Sequence, residues 1–293
     1  MADHIHGITH RRVLTIAIPI VISNATVPIL GAVDTGVIGQ MGAAAPIGAV
    51  GIGAIILGAL YWIFGFLRMG TVGLTSQALG AGDSHEVRAL FFRATGIGLM
   101  AGVGFILLQL PIFAGAFWVS PASVEVESLA RDYMSIRVWS APAAIAIYGL
   151  SGWLIAQERT AAVLLIQLLM NLCNIILDLW FVLGLGLGVE GVALATLIAE
   201  WGGLVLGLYL CRSVLSGLAG SMWRQVFDRV RLARMAQVNV DILIRSVLLQ
   251  AGFVSFLFFG ADLGDVTLAA NQVLLQFVYM ASYAMDGFVF AAE

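Results

Sequence analysis

Residues 167–178 read QLLMNLCNIILD, an apolar run that carries a polar stripe. Gln167, Asn171, Asn174 and Asp178 stand four, three and four residues apart. On a helix of 3.6 residues per turn this confines them to an arc of about 60°. The residues between them are Leu, Met, Cys and Ile, the composition of a segment immersed in lipid. A carboxylate at bilayer depth costs about 2.5–3.5 kcal/mol on insertion scales, so the stripe must face a protein interior or a water-filled cavity. Two roles fit such a stripe. One is interhelical hydrogen-bond glue; the other is an ion or proton site.

The rest of the chain has the same membrane character. Of its 293 residues, 61% are hydrophobic and 11% charged, where a soluble domain carries about 25% charged. Uncharged runs cover 13–33, 35–67, 94–124, 138–157 and 266–285, each long enough to cross a bilayer core that needs about 20 residues. The 34 glycines suit close helix approach in lipid. A net charge of −3 offers no nucleic-acid surface. Cys173 and Cys211 lie inside apolar runs and predict neither a disulfide nor a metal site. No nucleophile elbow, HExxH or CxxC is present, so the chain reads as no enzyme and needs no cofactor.

Eight spans follow from this pattern: about 13–40, 47–80, 89–118, 133–157, 161–185, 189–211, 236–260 and one from about 266. Between the sixth and seventh, 213–235 carries Arg224, Asp228, Arg229, Arg231 and Arg234 and predicts a basic amphipathic connector on a membrane surface. The expected organisation is a six-helix lobe over 1–212, the connector over 213–235, and the start of a second lobe over 236–293. Because the chain ends inside its eighth span, that second lobe is expected to be truncated and the sequence a piece of a longer protein. A weak repeat agrees with two bundles, pairing Gly42 with Gly264, Tyr61 with Tyr283, Gly65 with Gly287 and Phe66 with Phe288.

All 14 basic residues are arginine. Most fall on one side of an alternating path, with Arg131 and its neighbour Arg137 on the other, which predicts a cytoplasmic amino terminus. That orientation puts Asp34, Asp178, Thr196 and Glu200 at one level in the outer half of the membrane. Glu200 lies one turn from Thr196 on the same face. Clustered oxygens in a dry setting are what a hard cation or a proton needs. An acidic pair there should titrate as a unit. Pro19 and Pro28 each remove a hydrogen bond from the first helix and predict a bend on the inner side of Asp34. Arg68 is expected to snorkel to the headgroups, Asp241 and Arg245 to neutralise each other one turn apart, and Asp286 to line a cleft.

These residues resemble the multidrug and toxic compound extrusion (MATE) transporters, and among them the DinF-like branch. The likeness rests on Pro19 with Asp34, on LGAVDT at 30–35, and on GLTSQALGAG at 73–82. It rests further on Asn174 with Asp178, on GLGVEGVALAT at 186–196 and on NVDILIR at 239–245. The resemblance implies an all-α, two-lobed integral membrane bundle, with the first lobe complete here and the second truncated. It implies a proton- or sodium-coupled antiporter that exports drugs or toxic organic compounds, cationic or amphipathic, across a bacterial cytoplasmic membrane, as a monomer. It also implies that Asp34, Asn174, Asp178 and Thr196 form the cation site, with Pro19, Gln167, Asn171, Glu200 and Asp286 as cleft or coupling residues. The other class considered is a lipid-linked oligosaccharide flippase, which would need a cationic cleft to hold pyrophosphate.

Overall fold

The computed structural model describes residues 10–119, 123–215 and 220–262, together with 274, 278, 281–282 and 285–290. All regular structure among these residues is helical. Helix α1 (His10–Gly39) is helical throughout, Pro19 included; the side chain of Pro28 lies outside the described residues. Helices α2 (Ala44–Trp62) and α3 (Phe66–Gly80) form one long stretch joined by a 3₁₀ turn at Ile63–Gly65. Then come α4 (Ser84–Leu107), α5 (Gln109–Val119), α6 (Val124–Arg137) and, after a 3₁₀ turn at Val138–Ser140, α7 (Ala141–Ala156). Helices α8 (Thr160–Asp178), α9 (Gly188–Leu210), α10 (Arg212–Leu215), α11 (Gly220–Val226) and α12 (Arg229–Asp262) complete the order.

Five helical stretches among the described residues are long and apolar enough to cross a membrane: Ala44–Gly80, Ser84–Leu107, Val124–Ala156, Thr160–Gly184 and Gly188–Leu210. Two boundaries differ from the hydropathy pattern, each for a local reason. The third span breaks at Leu108, because Pro111 has no N–H to offer the carbonyl of Leu107. The seventh helix begins at Arg229 rather than near 236, because the Asp228 carboxylate accepts from the N–H groups of Val230 (2.9 Å) and Arg231 (3.1 Å) and caps it there. Between α8 and α9 the helix widens over Leu179–Gly184, and the chain turns through Gly186 and Gly188 at φ +69° and +59°, a conformation that glycine adopts freely. The repeat partners Gly264 and Tyr283 lie outside the described residues.

Helix α7 is the hub. Its buried residues run all around its circumference, from Ala141 to Ile155, and α4, α3, α9 and α8 pack on it. Small residues allow this. A Cβ built at Gly98 of α4 would stand 2.6 Å from Ala146 Cα, and one at Gly149 would stand 2.9 Å from the carbonyl carbon of Ala94. In lipid, where apolar surface gives no drive for helices to associate, such close backbone contact is a principal source of packing energy.

The connector is docked rather than loose. Arg93 of α4, 3% exposed, donates to the carbonyls of Val226 (2.9 Å) and Gln225 at the end of α11, and pairs with Glu86 at 2.6 Å. Arg231 pairs with Glu86 and with Asp83 (3.4 Å), and Arg234 donates to Gln77 at 2.9 Å. Asp83 caps α4, and the Glu86 N–H that it accepts holds its carboxyl below the usual carboxylate range. The N–H of Arg231 does the same for Asp228.

Other expectations about charge are corrected. The Arg68 guanidinium lies over the Phe290 ring, 4.4 Å from its centroid. Stacking on an aromatic face keeps the charge solvated by a quadrupole inside the fold. Asp241 and Arg245 are both exposed and form no ion pair among the described residues, in keeping with the small worth of an exposed pair against the side-chain entropy it fixes.

Two outcomes follow. Gly98→Ala should destabilise the protein by about 1–3 kcal/mol, read as a lower unfolding midpoint in detergent, whereas Gly96→Ala, which meets nothing within 4 Å, should not. The depressed Asp83 and Asp228 carboxyls stabilise the docked connector above the unfolded aspartate value of about 3.9 and lose that effect as pH falls through their lower folded values. Hydrogen exchange over 220–235, corrected for its intrinsic pH dependence, should stay flat near neutrality and rise only in that acid range.

Candidate functional site

The polar stripe of α8 faces inward. Asn171, Asn174 and Asp178 are buried, while Leu168, Leu169, Leu172 and Ile176 on the opposite face are exposed to the lipid side. Asn174 and Asp178 are 1% and 0% accessible, so their polar atoms depend on partners within the protein or in an adjoining cavity. The Asn174 amide is satisfied at both ends in one orientation. Its nitrogen donates to Asp34 Oδ1 (3.1 Å) and Asp178 Oδ2 (3.2 Å), and its oxygen accepts from the Thr196 hydroxyl (3.1 Å) and N–H (3.3 Å). One amide therefore joins α1, α8 and α9. The Asp34 and Asp178 carboxyls are thereby held side by side on one amide nitrogen.

The site opens on a cavity of about 180 Å³ lined by Asp34, Arg137, Asn171, Asn174, Thr196 and Glu200, among others. At about 30 Å³ per water this holds roughly six. Gln167 lies behind the wall and donates to Asn171 Oδ1 at 2.9 Å. The Nδ2 of Asn171 and the Oδ1 of Asp178 are buried with no partner among the described residues.

Opposite the carboxyl pair stands a group that the sequence reading misplaced. Arg137 was expected in an outer flank beside Arg131; instead it points into the bundle. Its two terminal nitrogens meet the two Glu200 oxygens at 2.8 Å each, and one also donates to Ser140 Oγ. Tyr61 lies beside it, its ring 5.8 Å from the guanidinium carbon, and Tyr133 is buried one turn away. The signal was present in two places. Glu200 in the middle of an apolar helix demands a cation, and Tyr133 with Arg137 repeats at i, i+4 on one face of α6.

Of the residues read from sequence, Asp34, Asn171, Asn174, Asp178, Thr196 and Glu200 meet at this one place. Pro19 and Asp286 do not line the cavity.

The MatE family pattern matches residues 19–180, more than half of the 293. The chain belongs to the MatE family. This MatE chain is similar to the DNA damage-inducible protein F of Escherichia coli K12, at 39% identity over 280 residues, 95% of the chain and 61% of that relative. It is also similar to a probable multidrug resistance protein NorM of Synechocystis, at 26% over 297 residues, 94% of the chain and 61% of the relative. It thus spans about three fifths of the curated relatives it matches. Among solved structures it resembles the Vibrio cholerae MATE transporter VcmN in the bent form, with TM-score 0.80 and 20% identity over 96% of this chain and 64% of the other. MATE structures in a bent and a straight conformation match with TM-scores of 0.83 and 0.81, each at 20% identity over 96% of this chain and 63% of the other.

Breaking the buried pair by Arg137→Gln leaves Glu200 uncompensated and should cost about 3–5 kcal/mol. Adding Glu200→Gln should recover most of that loss in the same unfolding measurement.

Proposed function

We propose that the protein is an exporter of small cationic or amphipathic organic compounds, driven by entry of a proton or a sodium ion through the site that Asn174 organises. The observation that carries this reading is the placement of two carboxyl groups from different helices on one buried amide, beside a cavity of about 180 Å³. Glue between helices needs one donor and one acceptor; it does not need two acids held together at the cost of their desolvation. Two acids sharing one partner form a group whose charge changes by one when a cation arrives or leaves.

Such a change moves a conformational equilibrium only if the two conformations bind the cation with different affinity. Helix α1 carries Asp34 and Pro19 on one continuous helix, so a shift in how α1 packs would alter the distance between Asp34 and Asp178. The related MATE structures, one bent and one straight, are consistent with two such states. A flippase for pyrophosphate-linked lipids would need an excess of cations in the cleft; here Asp34 and Glu200 line the cavity beside Arg137 alone. The name of the NorM relative, a probable multidrug resistance protein, supports drug export; the same reading takes the protein as a monomer in a bacterial inner membrane, with the arginine placement putting its amino terminus in the cytoplasm.

In the full-length protein, Asp34→Asn and Asp178→Asn should each abolish gradient-driven efflux of fluorescent lipophilic cations from everted vesicles while leaving expression and unfolding behaviour intact. Efflux at the wild-type rate in both variants would rule the coupling role out.

A further inference from the structure

The Arg137–Glu200 pair has a geometry that a merely structural pair does not require. It is buried, with the side chains 14% and 12% exposed, yet it forms part of the wall of the cavity next to the carboxyl pair. The fork is complete: each Glu200 oxygen takes one Arg137 N–H at 2.8 Å. Ser140 and Tyr61 brace the guanidinium from the other side.

A sodium ion is a hard cation and must be wrapped by several oxygens at once, whereas a proton needs only one carboxyl oxygen. The oxygens at hand are those of Asp34, Asp178 and the Thr196 hydroxyl. Asn174 turns its nitrogen, not its oxygen, toward both carboxyls. The two Glu200 oxygens, one turn along α9 from Thr196, would complete a shell. Both are taken by Arg137. Space does not forbid sodium, because the cavity of about 180 Å³ admits the ion with water. Ligand supply does, and Arg137 also weakens the pull on a cation: three carboxylates against one guanidinium sum to −2 when all are ionised, and to −3 without it. The N–H on Nε is buried with no acceptor among the described residues, and a guanidinium itself has no lone pair to give a cation.

We propose that Arg137 determines the ion specificity of the site: by holding both oxygens of Glu200 in a fork it withholds them from sodium and leaves the Asp34–Asp178 pair to protons. This rests on the cation-coupled reading given above. The charged and titratable groups that face the cavity or the pair are Asp34 on α1, Tyr61 on α2, Tyr133 and Arg137 on α6, Asp178 on α8 and Glu200 on α9. Arg137 is the one cation among them.

The test is sodium binding by the purified full-length protein, read as the shift in thermal unfolding midpoint on replacing choline chloride by sodium chloride up to about 100 mM at fixed pH and ionic strength. In the wild type the two salts should give the same midpoint. Arg137→Gln should acquire a sodium-dependent rise, with an apparent affinity at least about tenfold tighter than the wild type's, since a tenfold change is the least that removing a fixed neighbouring charge should give. Arg137→Lys covers only one carboxylate oxygen with its single ammonium; it should gain a smaller response, and it carries the test if Arg137→Gln does not fold. Adding Glu200→Gln or Asp34→Asn to either variant should cancel the gain. A wild type that sodium stabilises as strongly as the Arg137 variants would overturn the proposal. So would folded Arg137 variants that ignore sodium, or a gain that survives Glu200→Gln. Failure of the coupling reading is separately visible, because efflux that persists in Asp34→Asn and Asp178→Asn leaves these binding results as they stand.

Discussion

The amide of Asn174 is the interaction on which the first bundle depends. In lipid a buried donor or acceptor without a partner costs several kcal/mol. Four polar side chains brought by three helices therefore have to meet in one arrangement. Asn174 provides two donors for two carboxyls and one acceptor for Thr196. That single residue fixes which face of α8 turns inward, how far along α9 Thr196 must lie, and where Asp34 of α1 must dock.

The packing around α7 supplies the rigidity that such a site needs. Glycines at the α4–α7 and α3–α7 contacts, with Gly152 set against the backbone of Arg68, let backbones touch and leave little room to slide. Helix α8 is different: its outer face is exposed to the lipid side, and only its polar stripe and a few residues such as Val163 and Ile166 are buried. The site thus sits beside the packed α7 hub, where α1, α8 and α9 meet. Arg93 and Arg231 fasten the connector to the first turns of α4, next to the end of α3 that carries most of the GLTSQALGAG stretch.

Much of this was legible in the chain. Offsets of four, three and four residues placed Gln167, Asn171, Asn174 and Asp178 on one face, and lipid made that face inward-turning. The meeting of Asp34, Asp178 and Thr196 followed from counting depth along spans of alternating direction. What was not legible depended on side-chain direction or on local hydrogen bonds. Arg137 ends a helix whose residues, VEVESLARDYMSIR, read as polar, so its flank looked like a loop, and only the partner across the cavity shows why it turns inward. Hydropathy likewise could not see that Asp228 starts α12 seven residues before the apolar run, or that Pro111 stops α4 within one.

The account's central claim is that Asp34 and Asp178 hold one proton between them while Asn174 binds both. Infrared spectroscopy of the sodium-free full-length protein at neutral pH reads this directly, because a protonated carboxyl absorbs apart from a carboxylate. The account predicts one protonated-carboxyl band in the wild type, lost in both Asp34→Asn and Asp178→Asn. No such band in the wild type, or one that survives both substitutions, would contradict it.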